Sequence, residues 1–445
     1  MHPVLFRLHI PGFGPVSIYA YGVMLGLSLV VGWYLTLGLA SRDGLPKEKM
    51  ANNYVVTAIS AVVASRVLYV LTNLSEFQDN WADVLSFRSG GLVAYGGFLG
   101  GLLGSWVYLK RHRLPLLPWA DVAVPSLASG LLITRIGCYL FGCDFGRPLG
   151  PEAPGFLQKL GTFPHWTDGT IDGGSGSPAF VQHVKTRGLS PDAAHSLPVH
   201  PTQLYESLVG LTLLVLLLWM RGRQKFRGQI FFVFAFAYGA AGFALELVRD
   251  DLERGDVPPA LPEHVLIPGA FALFAAAYSF GIAPAIRSGA VRVATQIASV
   301  IPAVIAYVKY APAEFQGLHP IKLSTSQAIG LASGVGAALA YGVFHRAALR
   351  HPAAAMALDL PPEALDEEKA DAKDGEPEKA DAERTDEEEN AQRKPSTDDG
   401  DVEVGAGGAA PDAPPAGEVA AAPRKKRRKK PPVDVDPDAP KPSDD

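Results

Sequence analysis

A succession of apolar runs, each long enough to cross a bilayer, constrains this chain more than any other feature. A transmembrane helix needs roughly 20 apolar residues. Such runs lie near 15–40, 52–74, 91–109, 117–141, 203–220, 229–248, 264–286, 293–311 and 324–345. Inside lipid every backbone amide must be satisfied within its own segment, and a helix does this without help. The expected fold is therefore an all-α polytopic membrane protein of about nine transmembrane helices. A composition of 48% hydrophobic and 19% charged residues agrees with that. The first run is too long, and too weakly preceded by positive charge, to read as a cleaved signal peptide.

The loops between the runs differ in charge, and positive loops stay in the cytoplasm. Arg42, Lys47 and Lys49 follow the first run, and Lys110, Arg111 and Arg113 the third. Arg221, Arg223, Lys225 and Arg227 follow the fifth, Arg287 and Arg292 the seventh, and Arg346 and Arg350 the ninth. The alternate loops are acidic or poor in positive charge, with Glu76, Asp79 and Asp83 against Arg88. In a later one Asp250, Asp251, Glu253 and Asp256 face Arg254. Every odd run thus ends on the positive side, which puts the N-terminus outside and the C-terminus in the cytoplasm.

Three segments stand apart. The loop 145–201, rich in Gly, Pro and Asp, falls on the outer face and reads as a partly ordered cap. Residues 351–445 hold 26 acidic and 14 basic side chains, which leaves 19 of 45 acidic and 26 of 40 basic residues in 1–350. This stretch has almost no large apolar residues and reads as a disordered cytoplasmic tail. Its run RKKRRKK, 424–430, has the composition of a nucleic-acid patch. Beside a membrane it is read instead either as a contact for anionic lipid or for the acidic stretch upstream, or as having no role, and no nucleic-acid partner is expected. The two cysteines, Cys138 and Cys143, are five apart in one apolar run. On a continuous helix that spacing sends them in different directions, and no metal-ligand spacing, P-loop or GxSxG motif is present.

Ionisable side chains within a bilayer are costly unless paired or facing a wet cavity, so each is a functional candidate. Here they are Arg66, Asp121, Arg135, Glu206, Glu246 and Arg249. The stretch TRIGCYLFGCDFGRP, 134–148, sets Arg135 about two turns inside its run and adds Arg147 beyond it. Arg66, Arg135 and Arg249 all approach the outer leaflet, which suggests an anionic lipid phosphate gripped by guanidinium forks, although Arg249, at the end of its run, suits snorkelling to the headgroups as well. The run GGLVAYGGFLGG, 90–101, has six glycines around Tyr95. A four-residue repeat such as Gly97 and Gly101 serves close helix packing, and the remainder suits a broken helix admitting a ligand to the backbone. In HPTQLYES, 200–207, Pro201 favours a helix start, with Gln203, Tyr205 and Glu206 in the first turns.

These stretches, taken together, resemble one family. AYG (20–22), ASRVLYVL (64–71), GGLVAYGG (90–97), RIGCYLFGCDFGRP (135–148), HPTQLYE (200–206) and YGAAGFALELVRD (238–250) occur in the order found in prolipoprotein diacylglyceryl transferases. LSTSQ (323–327) opens the last run. The resemblance covers most of 10–345. It implies a bacterial inner-membrane enzyme that moves the diacylglyceryl group of phosphatidylglycerol onto the lipobox cysteine of a prelipoprotein, releasing glycerol phosphate. It implies no metal or organic cofactor. A transporter or flippase for an anionic lipid is the rival class, but the charges gather toward one face and no internal repeat is visible.

The resemblance assigns catalytic work to Arg135, Tyr95, His200, Glu246 and Arg249. Contacts to substrate lipid and peptide would come from Arg135, Arg66, Arg147, Tyr21, Gly96, Gly97, Gly137, Gly146, Gln203, Tyr205 and Glu206. For the base that takes the thiol proton, Tyr95, His200, Glu206 and Glu246 stay open. The chain also departs from its relatives. A frequent pattern Gly-Arg-x-Gly-Asn-x-x-Asn-x-Glu reads Thr134, Arg135, Gly137, Cys138, Phe141 and Cys143 here. Many members have His where Tyr95 stands, and Arg where Gly242 stands. The family usually has seven spans, so the expected organisation is a catalytic membrane domain over 1–350 with a helical hairpin, 264–311, inserted before the last span.

Overall fold

The computed structural model describes residues 3–11, 14–77, 80–85, 91–166, 176–250, 255–312 and 320–362. Asp79, Arg88, Gly90, Asp251, Glu253, Arg254 and the tail from 363, with its basic run 424–430, lie outside the described residues. So does 167–175, most of the Gly-rich part of the long loop.

A hairpin of β1 (Val4–Ile10) and β2 (Gly14–Tyr19) leads straight into α1 (Ala20–Arg42). Next come α2 (Lys47–Thr72), α3 (Ala94–Arg111) and α4 (Leu116–Phe141). The long loop carries two short helices, α5 (Gly155–Leu160) and α6 (Pro178–Arg187). Then follow α7 (Thr202–Arg221), α8 (Gln229–Glu246), β3 (Asp256–Pro262) and α9 (Glu263–Ala277). Last are α10 (Gly289–Tyr310), β4 (Pro320–Ser324), α11 (Thr325–Arg350) and the single turn α12 (Pro352–Ala355). Strands β3 and β4 pair antiparallel, Asp256 against Ser324 and Pro262 against Pro320, an addition that no alternation in the sequence announced.

Eight segments are long and apolar enough to cross a membrane: α1, α2, α4, α7, α8, α9 with its continuation to Ala285, α10 and α11. The protein is thus a multi-pass membrane protein of mostly helical build. The third expected run, 91–109, forms α3, but its five glycines and the terminal Lys110 and Arg111 make it too weakly apolar to qualify alone. It packs along α2 in any case.

The outer surface has the inverse pattern of a water-soluble bundle. On α10, Val300, Val304, Ile305 and Val308 are exposed, and only the small Ala303 and Ala306 are buried. Hydrocarbon is as apolar as leucine, so close approach at small residues holds such helices together. Along α3 the stripe is Gly96, Gly100 and Gly104. A Cβ on Gly96 would meet Ala64 O at 2.5 Å, and one on Gly104 would meet Ser60 Cβ at 2.5 Å. Gly96 and Gly100, part of the stretch 90–101 expected to suit a broken helix, instead lie within it with Gly104 and admit α2.

Helix α4 is the most enclosed of the eight and packs against both α1 and α7. At one end of the bundle α4 caps a neighbour. Asp121, fully buried, accepts from the Gly228 N–H (2.5 Å) and the Phe231 N–H (2.9 Å) at the start of α8, and from Gln224. That gives this intramembrane acid a structural duty at a helix N-terminus. Beside it Asp43 pairs with Arg221 (2.7 Å) and Arg227 (2.8 Å), so the basic loops are tied to one another. At the opposite end sits the long loop, which has a small apolar cluster of Phe145, Phe163, Ala179 and Val199. Its lack of periodicity hid this, because Ala179 comes from α6 and the other three side chains from separate stretches of the loop.

Candidate active site

The far ends of α4 and α8 and the start of α7 converge beneath the long loop. Gly210 permits it: a Cβ there would meet the Leu132 N at 2.6 Å and the Ala128 O at 3.0 Å, so α4 and α7 touch backbone to backbone. One turn along, Ser207 Oγ donates to Leu132 O (2.8 Å), and Glu206 forms an ion pair with Arg135 Nε. Arg135 Nη1 also reaches Asp144 Oδ2 at 2.6 Å. The other oxygen of Asp144 takes Arg249 Nη2 at 2.8 Å, and Arg249 Nη1 lies 3.6 Å from Glu246. Two guanidiniums are thus bracketed by three carboxylates. Glu206 and Glu246 are buried, whereas the Asp144 side chain is 30% exposed and opens the cluster to the loop.

Asp144 is the residue the sequence reading passed over. Helix α4 stops at Phe141, and Gly142 adopts φ 84°, its N–H returning to Cys138 O at 2.8 Å. Asp144 is itself left-handed at φ 54°, a conformation Asp tolerates better than most residues. The reversal folds the chain back over the helix end, where Thr202 Oγ1 holds the Asp144 carbonyl (2.5 Å) and Gln203 the Cys143 carbonyl. Acid after a helix-stopping glycine, nine residues from a buried arginine, was the available signal. The same turn corrects the expectation for the cysteines. With the helix ended, the Cys143 thiol donates to Cys138 O (3.8 Å), and both sulfurs and the Asp144 carboxylate lie within 4.8 Å of one another. The Cys143 thiol is held above its ordinary range, first by its hydrogen bond with Cys138 and then by burial.

Two phenols border the cluster. Tyr238, on α8, is within electrostatic reach of Glu206, Arg135, Arg249 and Tyr95, and was not singled out from the sequence. Tyr21, at the start of α1, neighbours Cys138, Cys143, Asp144 and Arg135. Gly137 makes room for it, since a Cβ there would stand 3.2 Å from the Tyr21 Cα.

The remaining expected residues divide. The backbone of the loop end is stitched by Gly146 N–H to His200 O (3.0 Å), Arg147 N–H to Val248 O (2.8 Å) and His200 N–H to Arg147 O (2.9 Å). The Arg147 side chain is exposed at the rim. The His200 ring turns to Tyr205, Nδ1 to hydroxyl 3.3 Å, and is held below its ordinary range by burial and then by the Lys309 ammonium. Tyr95 hydrogen-bonds Ser326 on α11 at 2.6 Å rather than either arginine. Arg66 donates to the carbonyls of Val84 (2.9 Å), Gly91 (2.9 Å) and Asp83 (2.6 Å), below Tyr69 and Phe77. Those are the contacts of a loop anchor. Gly96 and Gly97 face α2, not the arginines.

A sequence model of the family described as prolipoprotein diacylglyceryl transferase matches residues 7–310. The chain belongs to the prolipoprotein diacylglyceryl transferase family. Among curated relatives, a phosphatidylglycerol–prolipoprotein diacylglyceryl transferase of Clostridium tetani is 29% identical over 257 residues, 58% of this chain and 88% of its own length. One of Geobacillus kaustophilus is 30% identical over 238 residues, 54% of this chain and 79% of its own. One of Halalkalibacterium halodurans is 28% identical over 244 residues, 55% and 76% of the two chains. The family match takes in the Arg135 cluster and runs to the end of α10, so the helix pair 264–311 lies almost wholly inside it and α11 lies beyond.

Proposed function

We propose that this protein is a bacterial inner-membrane transferase that moves the diacylglyceryl group of phosphatidylglycerol to the lipobox cysteine of a prelipoprotein signal peptide. In this reading the N-terminus and the arginine cluster face outward, and the basic loops and the C-terminus are cytoplasmic. The observation that carries it is the bracket of Arg135 and Arg249 around Asp144, with Glu206 and Glu246 behind them.

The chemistry follows from that arrangement. The cysteine sulfur attacks the glyceryl carbon that bears the phosphate ester. A C–S bond forms, the C–O bond breaks, and its electron pair leaves on glycerol phosphate. Negative charge grows on that oxygen, and pre-aimed guanidiniums stabilise it best where water is sparse. Both arginines are held by carboxylates rather than free to rotate, which favours a fixed two-pronged grip on phosphate. Three carboxylates against two guanidiniums leave one negative charge over, so the cluster also has a proton acceptor for a thiol of ordinary pKa about 8.5. Glu206 and Glu246 are the carboxylates on the arginines, and His200, neutral at pH 7, is the alternative from the loop.

The deciding experiment incubates purified protein with phosphatidylglycerol labelled in its acyl chains and a lipobox peptide. Thioether-linked diacylglycerol on the peptide and glycerol phosphate in equal amount are expected. Arg135→Lys is expected to lose nearly all of this, because a point charge replaces a fork. Folded protein that leaves the peptide unmodified, but moves labelled lipid between leaflets, would instead favour a flippase.

A further inference from the structure

We propose that Cys138, Cys143 and Asp144, with the side-chain carbonyl of Gln203, form a binding site for a soft divalent cation of the zinc class. The two sulfurs and the carboxylate oxygen already stand within 4.8 Å of one another, and the Cys143 Sγ and Asp144 Oδ2 are 3.9 Å apart. Tetrahedral zinc, with Zn–S near 2.3 Å and Zn–O near 2.0–2.2 Å, keeps neighbouring ligand atoms roughly 3.5–3.8 Å apart. Closing on a metal therefore takes movements of about an ångström.

A second observation comes from a different element. Gln203, in the first turn of α7, is fully buried, and its amide nitrogen donates to the Cys143 carbonyl. Among the described residues its Oε1 is buried without a hydrogen-bond partner. Buried amide oxygens are rarely left so. This one belongs to an amide fixed against the backbone of the residue that carries the outer thiol, and it is the fourth donor of the proposed site.

Charge agrees. Two thiolates and a carboxylate around a divalent ion leave one net negative charge, which needs a cationic neighbour. Arg135 Nη1 is 4.0 Å from the Cys138 Sγ, and Arg249 holds the far oxygen of Asp144. A carboxylate oxygen has two lone pairs, so Asp144 can keep an arginine and still ligate. The cation enters from the loop, past the half-buried Cys143 and the partly exposed Asp144. Binding exchanges two thiol protons for the metal and involves no change of oxidation state.

The test uses the full chain, reduced, in detergent or vesicles. The chain contains only two cysteines, so every thiol signal reports on this pair. Titration with Cd²⁺ is expected to raise one thiolate-to-metal ultraviolet band that saturates at one ion per chain, and Zn²⁺ is expected to displace it. Zn²⁺ is also expected to slow maleimide labelling of both thiols by roughly ten-fold or more, a readout that needs no variant. Gln203→Leu is expected to weaken binding roughly ten- to a hundred-fold, as loss of a supporting ligand does. No band with unchanged labelling, or a band that survives in Cys143→Ser, overturns the proposal. So does a pair that forms a Cys138–Cys143 disulfide under a mild disulfide oxidant and, once reduced, takes up no metal. None of these signals depends on diacylglyceryl transfer, so failure here leaves the proposed reaction standing, and the reverse.

Discussion

Replacing Asp144 by Asn keeps the shape of the side chain and removes its charge, which isolates what the carboxylate does for the two arginines. In the native cluster one oxygen serves Arg135 at 2.6 Å and the other Arg249 at 2.8 Å. An amide offers one acceptor and one donor, so one arginine keeps a partner and the other meets an N–H. A hydrogen bond to a charged group contributes about 1.5–3 kcal/mol. The lower end applies, because the Asp144 side chain is 30% exposed and solvent screens part of the attraction. One such loss expressed in the transition state is roughly a ten- to thirty-fold fall in kcat/KM. Asp144→Ala removes both contacts and is expected to fall by roughly a hundred-fold or more. For Asp144→Asn insertion and thermal stability should change little, since Glu206 still pairs with Arg135, Glu246 with Arg249, and Asn tolerates the left-handed backbone. The assay is peptide modification at sub-saturating phosphatidylglycerol. Asp144→Asn turning over at or above the native rate would refute the positioning role: the carboxylate would then be occupying the phosphate's place rather than preparing it.

Four further outcomes are expected. Arg66→Leu should lower thermal stability and expose residues 81–85 and 91–93 to protease, with turnover of the surviving folded fraction within about three-fold; a selective loss of turnover would restore Arg66 to the lipid site. Tyr95→Phe should cost less than about ten-fold in transfer, matching Ser326→Ala, with no further loss in the double variant; a much larger loss from Tyr95 alone would speak for contact with substrate. His200, its folded pKa depressed, resists protonation more than it does unfolded, so its contribution to stability is complete above about pH 6.5 and is lost as pH falls toward the folded value; His200→Gln should flatten the melting-temperature profile in that window, and an unchanged slope would remove His200 from it. Truncation after Pro362 should leave melting temperature and transfer intact, whereas truncation after Arg350 should lower stability, because Leu358 and Leu360 pack on the Trp119 cluster and Ala355 O accepts the Arg227 N–H; equal melting temperatures for the two would show that those contacts contribute nothing.

The spans were legible because hydrocarbon imposes a length and a composition on whatever crosses it, and both are properties of contiguous sequence. Arg135, Glu206, Glu246 and Arg249 were legible for the same reason, being ionisable side chains where few are tolerated. What stayed hidden depended on partners distant in the chain. Arg66 looks like Arg135 in sequence, and it is the carbonyls of Asp83, Val84 and Gly91 around it that give it the contacts of an anchor. The glycines around Tyr95 were ambiguous between packing and ligand approach until α2 was seen to fill the space. The strands β3 and β4 have 57 residues between them and carry prolines, so neither alternation nor a turn signal marked their pairing.

Asp144 explains how the departures from the family pattern can be tolerated. Where many relatives have a glutamate after the glycine, this chain has Cys143, and the carboxylate arrives one residue later. On a regular helix a one-residue shift rotates a side chain by about 100° and would turn it away. Here the helix has already ended, Gly142 and Asp144 both have positive φ, and the extra residue is absorbed in the turn. The carboxylate therefore meets Arg135 from the loop, and gains Arg249 as well. The compensation makes a prediction of its own. Asp144→Ala combined with Cys143→Glu places the acid at the more usual position, and should recover at least about ten-fold of the activity that Asp144→Ala alone loses, provided the turn keeps its form. No recovery in a variant whose circular dichroism and melting temperature match the native protein would show that the two positions do not substitute for each other, and that the acid here has a task its relatives perform elsewhere.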